Sequence, residues 1–223
     1  MRIEKALGRM VRLAGFVVIL LLRPAISQSA VEAATRLQQR YASVTSVAAD
    51  FRQNYHAPGV DITESGVFWM KKPGLMRWEY SDPETKLFIS DGRETYLYRP
   101  EDRQVLVSRF SPAELHSTPL EFLLGRGDIL KSFRVSAEGQ IRPRGEGSIL
   151  LRLAPVEPDP NYAYFVLECD PKTFDLRRIV VRESAGNTSE FLLTNLQTNI
   201  RIDNKRFDFK IPKGVEVIRV DEK

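Results

Sequence analysis

The side chains of this 223-residue chain best suited to act on a ligand are apolar and soft. Met76, Trp78 and Tyr80 fall at alternate positions of a strand-like run, so they share one face, with Arg77 and Glu79 on the other. Just upstream, Phe68 and Met70 alternate with Trp69 and Lys71, and Lys72-Pro73-Gly74 separates the two runs as a turn. Both tryptophans of the chain lie in this strand pair. A face of this kind neither makes nor breaks bonds. It acts by burial: rings and thioethers re-pack around an apolar guest, whereas a fixed core favours Leu, Ile and Val. The same face can also simply fill a core, and the choice depends on what else the chain contains.

Bond-making chemistry finds little support. Metal sites need clustered ligands, and beyond scattered carboxylates the chain has two histidines, His56 and His116, and one cysteine, Cys169. No Gly-x-Ser-x-Gly elbow presents a serine nucleophile. Gly125-Arg126-Gly127 is too short to cradle a phosphate and reads as a helix terminator. Asn187-Thr188-Ser189 matches a glycosylation acceptor but sits in a turn. The expectation is a protein that is not an enzyme and needs no cofactor or metal.

The N-terminus indicates the compartment. Arg2, Lys5, Arg9 and Arg12 precede an apolar run over residues 13–22, and Ala25 and Ser27 supply small residues beyond it. This pattern describes a secretory signal peptide over residues 1–27, cleaved after Ser27 or after Ala30. The apolar run is too short to span a bilayer, which takes about 20 residues. No cysteine near the cleavage region offers a thiol for lipidation, and Cys169 lies far downstream in an apolar run. The expected product is an unanchored periplasmic protein with a single domain over residues 28–223. Its 28 Lys and Arg then balance its 28 Asp and Glu. The sequence pI of about 9.2 belongs mostly to the leader and gives no support to a nucleic-acid partner.

The elements follow from period and punctuation. Residues 31–42 predict a helix, with Ala33, Leu37 and Tyr41 at four-residue steps. Short β-branched and aromatic runs follow at 47–55, 65–70, 75–80, 86–90, 95–99 and 104–109, parted by Pro58-Gly59, Pro73-Gly74, Asp82-Pro83 and Asp91-Gly92. Ser111-Pro112-Ala113-Glu114 opens helical material with Leu120, Leu123 and Leu124, continuing over residues 129–133. Further strands are expected at 133–137, 148–156, 164–169, 176–183, 190–196 and 207–211. The sum is about eleven strands and three helices, mainly β, in a strongly curved antiparallel sheet whose hollow the helices cover. In simple register, Met76, Trp78 and Tyr80 would share their face with Phe51, Ile89, Tyr96 and Tyr98, beside Phe68 and Met70.

In order and spacing, Gly66-x-Phe68-Trp69-x-Lys71-Lys72-Pro73 with Trp78, Ser90-Asp91-Gly92, Tyr96-x-Tyr98-x-Pro100, Thr118-Pro119 and the closing Phe207-Asp208-Phe209 to Val215 resemble the LolA family, periplasmic carriers of outer-membrane lipoproteins. The resemblance covers nearly all of the expected mature chain. It implies an unclosed β-barrel lidded by helices, a cavity for the acyl chains of a lipoprotein in transit, and a monomer without catalysis. As partners it implies acylated lipoproteins, an inner-membrane lipoprotein-releasing ABC transporter and, where present, an outer-membrane acceptor. By position it places Met76, Trp78, Leu123 and Leu37 on the cavity, with Leu120 beside Leu123. Members of the family carry an arginine before the proline, hydrogen-bonded to the lid; here Lys72 stands there, with three donors but no planar fork. A carrier or sensor of another apolar lipid or glycolipid on the same fold is the alternative.

Overall fold

The computed structural model of the chain describes residues 23–110 and 128–220, with side chains from residue 29. Helix α1 (Arg23–Ala42) begins earlier than expected and buries Ala30, Ala34, Leu37 and Tyr41, whose three- and four-residue steps form one stripe. A single turn, α2 (Ile129–Ser132), is started by Asp128, whose Oδ1 accepts the Leu130 amide at 3.0 Å. The Ile129 amide donates to Gln38 Oε1 at 2.6 Å and so ties the two helices together. The expected leader over residues 1–22 and the expected helical stretch 111–127, with Leu120 and Leu123, lie outside the described residues.

The strands are β1 (Ser46–Ala57), β2 (Val60–Lys71), β3 (Leu75–Asp82), β4 (Lys86–Asp91), β5 (Glu94–Arg99), β6 (Gln104–Arg109), β7 (Phe133–Ala137), β8 (Ile149–Pro155), β9 (Tyr162–Cys169), β10 (Leu176–Glu183), β11 (Thr188–Thr198) and β12 (Glu216–Val220). They form one twelve-stranded sheet in the order β12-β6-β5-β4-β3-β2-β1-β11-β10-β9-β8-β7. Two meanders, β1–β6 and β7–β11, are thus sewn together by the antiparallel pairing of β1 with β11.

This architecture corrects the expected strongly curved barrel. The strands run in one open order, edge to edge from β12 to β7, in a sheet that neither closes nor curls strongly. Turn chemistry reveals which strands are neighbours, but curl is set by bulges and twist that leave no comparable mark in composition. The sheet is also not wholly antiparallel, because β12 joins β6 in parallel. The strand expected at 207–211 does not form. Instead, Asp203 accepts the Lys205 amide and starts a 3-10 turn over Asn204–Phe207 that buries Phe207 and packs on β3 and β4.

Each sheet face has its own core. On the helix side, α1 packs against β7 and β8. Its stripe joins a cluster running through Leu153, Phe165, Leu167, Ile179 and Leu193 to Phe51, Phe68, Met70 and Met76. On the other side a smaller core of Leu150, Val166 and Val180 lies near the buried pair Glu168–Arg178, 2.5 Å apart. The Arg144 and Gly145 amides donate to the same carboxylate, so this buried charge is paired and hydrogen-bonded.

Candidate aromatic site on the helix-side face

Register decides which residues meet. Phe68 lies opposite Trp78 and Met70 opposite Met76 across β2 and β3, while Trp78 lies opposite Phe88 across β3 and β4. Directly opposed residues share a face. Trp78 is the hub: its ring stacks on Phe68 at 4.6 Å and meets Phe51 edge-on at 5.0 Å and Phe191 at 6.0 Å. Each such ring pair contributes about 0.5–1.5 kcal/mol beyond area burial.

Gly66 makes the cluster possible. It lies opposite Phe51 on one side and Tyr80 on the other. With no side chain between them, the Phe51 and Tyr80 rings meet at 4.9 Å across an intervening strand. A Cβ on Gly66 would come 1.9 Å from the Glu79 carbonyl oxygen, so β2 and β3 approach here as only glycine allows. An irregularity in the β2–β3 ladder, where pairing shifts between Ser65 and Gly66, accompanies the close approach.

The patch is bounded at both ends by polar groups. At one end the Tyr80 hydroxyl donates to Gln53 Oε1 at 3.3 Å. Lys86 sits 4.2 Å above the Tyr80 ring and 2.5 Å from Glu64. Burial, and secondarily the Glu64 charge, push the Tyr80 phenol well above its ordinary pKa. At the other end the Lys72 ammonium donates to the Tyr41 carbonyl at 2.6 Å and reaches the Ala42 carbonyl at 3.5 Å. These are the last carbonyls of α1, which lack partners within the helix. Burial lowers the Lys72 pKa. The same helix end is held by Arg40, which donates to Asp175 at 2.8 Å and Thr198 at 2.9 Å, and by the Tyr41 hydroxyl, which accepts the Leu176 amide at 3.0 Å.

The residues singled out in the sequence divide between the faces. Leu37, Phe51, Phe68, Met70 and Met76 are buried in the helix-side cluster, and Trp78 and Tyr80 pack against it half-buried. Ile89, Tyr96 and Tyr98 lie on the opposite face. Ile89 pairs with Arg77 and Tyr96, and Tyr96 and Tyr98 rest against Phe209 at 5.4 and 5.6 Å. The β4 run offered two apolar alternations, Phe88 on one side and Leu87 with Ile89 on the other, and only the register set by the β3–β4 turn selects Phe88. Phe191 was also missed; its place follows from its pairing with Gln53, which no local pattern encodes.

Trp78, Tyr80, Phe88 and Phe191 are half-buried and keep part of their surface exposed, beside the buried Phe51 and Phe68. Among the described residues no three His, Cys, Asp or Glu side chains gather as a metal site. What the arrangement can do is cover apolar surface adaptably beside a helix held by a few polar contacts.

Residues 42–210 match the family described as outer membrane lipoprotein carrier protein LolA. The outer-membrane lipoprotein carrier protein of Chromohalobacter salexigens is 31% identical over 199 residues, covering 88% of this chain and 91% of that protein. That of Bordetella avium is 30% identical over 207 residues, covering 92% and 95%. Among solved structures, an uncharacterized conserved protein from Thermus thermophilus aligns over 86% of this chain and 100% of its own, with a TM-score of 0.55 and 15% identity. That likeness speaks to the fold alone.

Proposed function

This chain belongs to the LolA family of outer-membrane lipoprotein carrier proteins, and we propose that its helix-side aromatic face, centred on Trp78, holds the acyl chains of its cargo. The protein is a non-catalytic carrier of the periplasm that moves lipoproteins toward the outer membrane. The observation that supports the placement is the ring cluster of Phe51, Phe68, Trp78, Tyr80 and Phe191, half-buried at Trp78. Each CH₂ removed from water stabilises the bound state by about 0.8 kcal/mol, so long acyl chains need such a face to cross an aqueous space. Cargo must also leave, and rings and thioethers give non-directional contact that can re-pack.

In this reading cargo arrives from an inner-membrane ATP-driven release complex and passes to an acceptor at the outer membrane. Lys72 fastens the end of α1 beside the face and sets how readily the helix yields to an entering chain. The test is mass spectrometry of the apolar ligand that co-purifies from native periplasm. Acylated lipoprotein is the expected finding. A glycolipid or free lipid without protein would overturn the cargo assignment in favour of a carrier of other apolar molecules.

A further inference from the structure

The second tryptophan faces the other way. Trp69 lies on the sheet face opposite Trp78 and pairs with Arg77 between the Phe68–Trp78 and Met70–Met76 pairs. It floors a cleft of about 560 Å³ whose charged walls are Arg77, Glu79, Arg201, Asp203, Lys205 and Arg206. The Arg206 guanidinium lies 4.2 Å above the Trp69 ring. Arg77 is occupied, donating to Glu79 at 2.5 Å and to the Arg206 carbonyl at 3.0 Å. Among the described residues, no carboxylate pairs with Arg201, Lys205 or Arg206. Asp203 is turned to the Lys205 amide. The wall therefore carries unspent positive charge on a chain whose residues 28–223 balance overall.

We propose that this cleft binds an acidic peptide segment of a protein partner. A guanidinium stacked on an indole keeps its N–H edge free and pre-oriented for a carboxylate, and the exposed indole margin accepts an apolar neighbour. Residues i and i+2 of an extended segment lie about 6.7 Å apart on one side, a spacing that carries two carboxylates along a recess. An anionic bilayer would press its charge on Glu79 and Asp203 as well as on the exposed Arg201, Lys205 and Arg206, whereas a peptide segment can space its carboxylates between them. Because β2 and β3 carry Trp69 on one face and Phe68 and Trp78 on the other, the segment can dock while the opposite face is occupied. A membrane-bound partner could therefore hold a loaded carrier without competing for its cargo.

The chain with Trp78→Phe leaves Trp69 as the sole indole and reports on the cleft alone. Titration with hexaglutamate is expected to give a saturable change in Trp69 emission, with hexalysine giving none. Arg201→Glu with Lys205→Glu, which leaves the Arg206–Trp69 stack in place, should weaken the response about three- to tenfold or more. Added salt should weaken it as well. In the unaltered chain, by calorimetric titration, the hexaglutamate midpoint should be the same with and without a saturating fatty-acid probe, which separates this site from the acyl-binding face. No saturable change, or an equal midpoint in the double variant with an unaltered circular dichroism spectrum, would overturn the proposal. So would a Trp69 response to phosphatidylglycerol vesicles but not to hexaglutamate, which would assign the cleft to anionic lipid.

Discussion

Lys72→Ala should loosen α1 without unfolding the sheet. The ammonium donates to the Tyr41 carbonyl at 2.6 Å, which also accepts the Val44 amide at 3.2 Å, and lies within reach of Ala42. A hydrogen bond to a charged group contributes about 1.5–3 kcal/mol. Lys72 is partly open to solvent, so about 1–2 kcal/mol is the fair expectation. The loss weighs on the helix because two of its four buried side chains, Ala30 and Ala34, are alanines with little area to bury, while Leu37, Tyr41, Arg40 and Gln38 still hold it. A loss of about 1–2 kcal/mol raises the opening equilibrium about 5–30-fold. Hydrogen exchange read by mass spectrometry should therefore show residues 34–42 exchanging faster by that factor, with β8–β10 unchanged and acyl-probe release accelerated. Lys72→Arg should restore most of the protection. If α1 keeps its protection in Lys72→Ala, or β8–β10 lose theirs equally, Lys72 does not fasten the helix as described.

Trp78→Glu places a carboxylate amid the ring cluster and should abolish acyl-probe binding while the circular dichroism spectrum is kept; normal uptake in a folded variant would move the acyl site elsewhere. Gly66→Ala forces β2 from β3 and should destabilise by roughly 2–3 kcal/mol, lowering Tm by about 4–12 °C. An unchanged Tm would show that the strands can part without cost. Stability should also fall on the alkaline side, because burial raises the Tyr41 and Tyr80 phenols and pushes the Cys169 thiol up to about 12. The folded state then holds protons that the unfolded chain loses above about pH 8.5–10, so stability is full below that range and declines through it; urea titrations giving a flat profile from about pH 8.5 to 11 would contradict this. Burial alone would raise the Glu168 carboxyl, but the Gly145 and Arg144 amides, the Ser148 hydroxyl and Arg178 hold it low, adding a second decline as pH falls below about 4.5. Finally, Ala30 is 3% exposed within the helix stripe, so export should leave a chain beginning at Gln28 and not at Val31; N-terminal sequencing of the exported protein decides it.

Much of the fold was legible because its signals are local. The Lys72-Pro73-Gly74 and Asp91-Gly92 turns, with the two-residue alternation between them, place β2 to β5 where they form. The closing of the chain was not legible in the same way. Phe207 and Phe209 have strand-like spacing, but Asp203 captures the Lys205 amide and turns the backbone, so the rings pack onto the sheet instead of extending it. Glu216–Val220 then becomes the edge strand through a parallel pairing with β6 that no hairpin signal announces. For the site, alternation within β2 and β3 was enough to gather Phe68, Met70, Met76, Trp78 and Tyr80. It could not choose between Phe88 and Ile89 on β4, where both faces are apolar, nor bring Phe191 beside Trp78. Those contacts depend on registers between strands, one of them joining the two meanders.

The most direct test of the acyl-binding face is photo-crosslinking with a lipoprotein whose acyl chain carries a diazirine, followed by peptide mapping. Labels on Phe68, Met76, Trp78 or Phe191 are expected. Labels confined to Trp69, Ile89, Tyr96 or Tyr98, on the other side of the sheet, would contradict the placement.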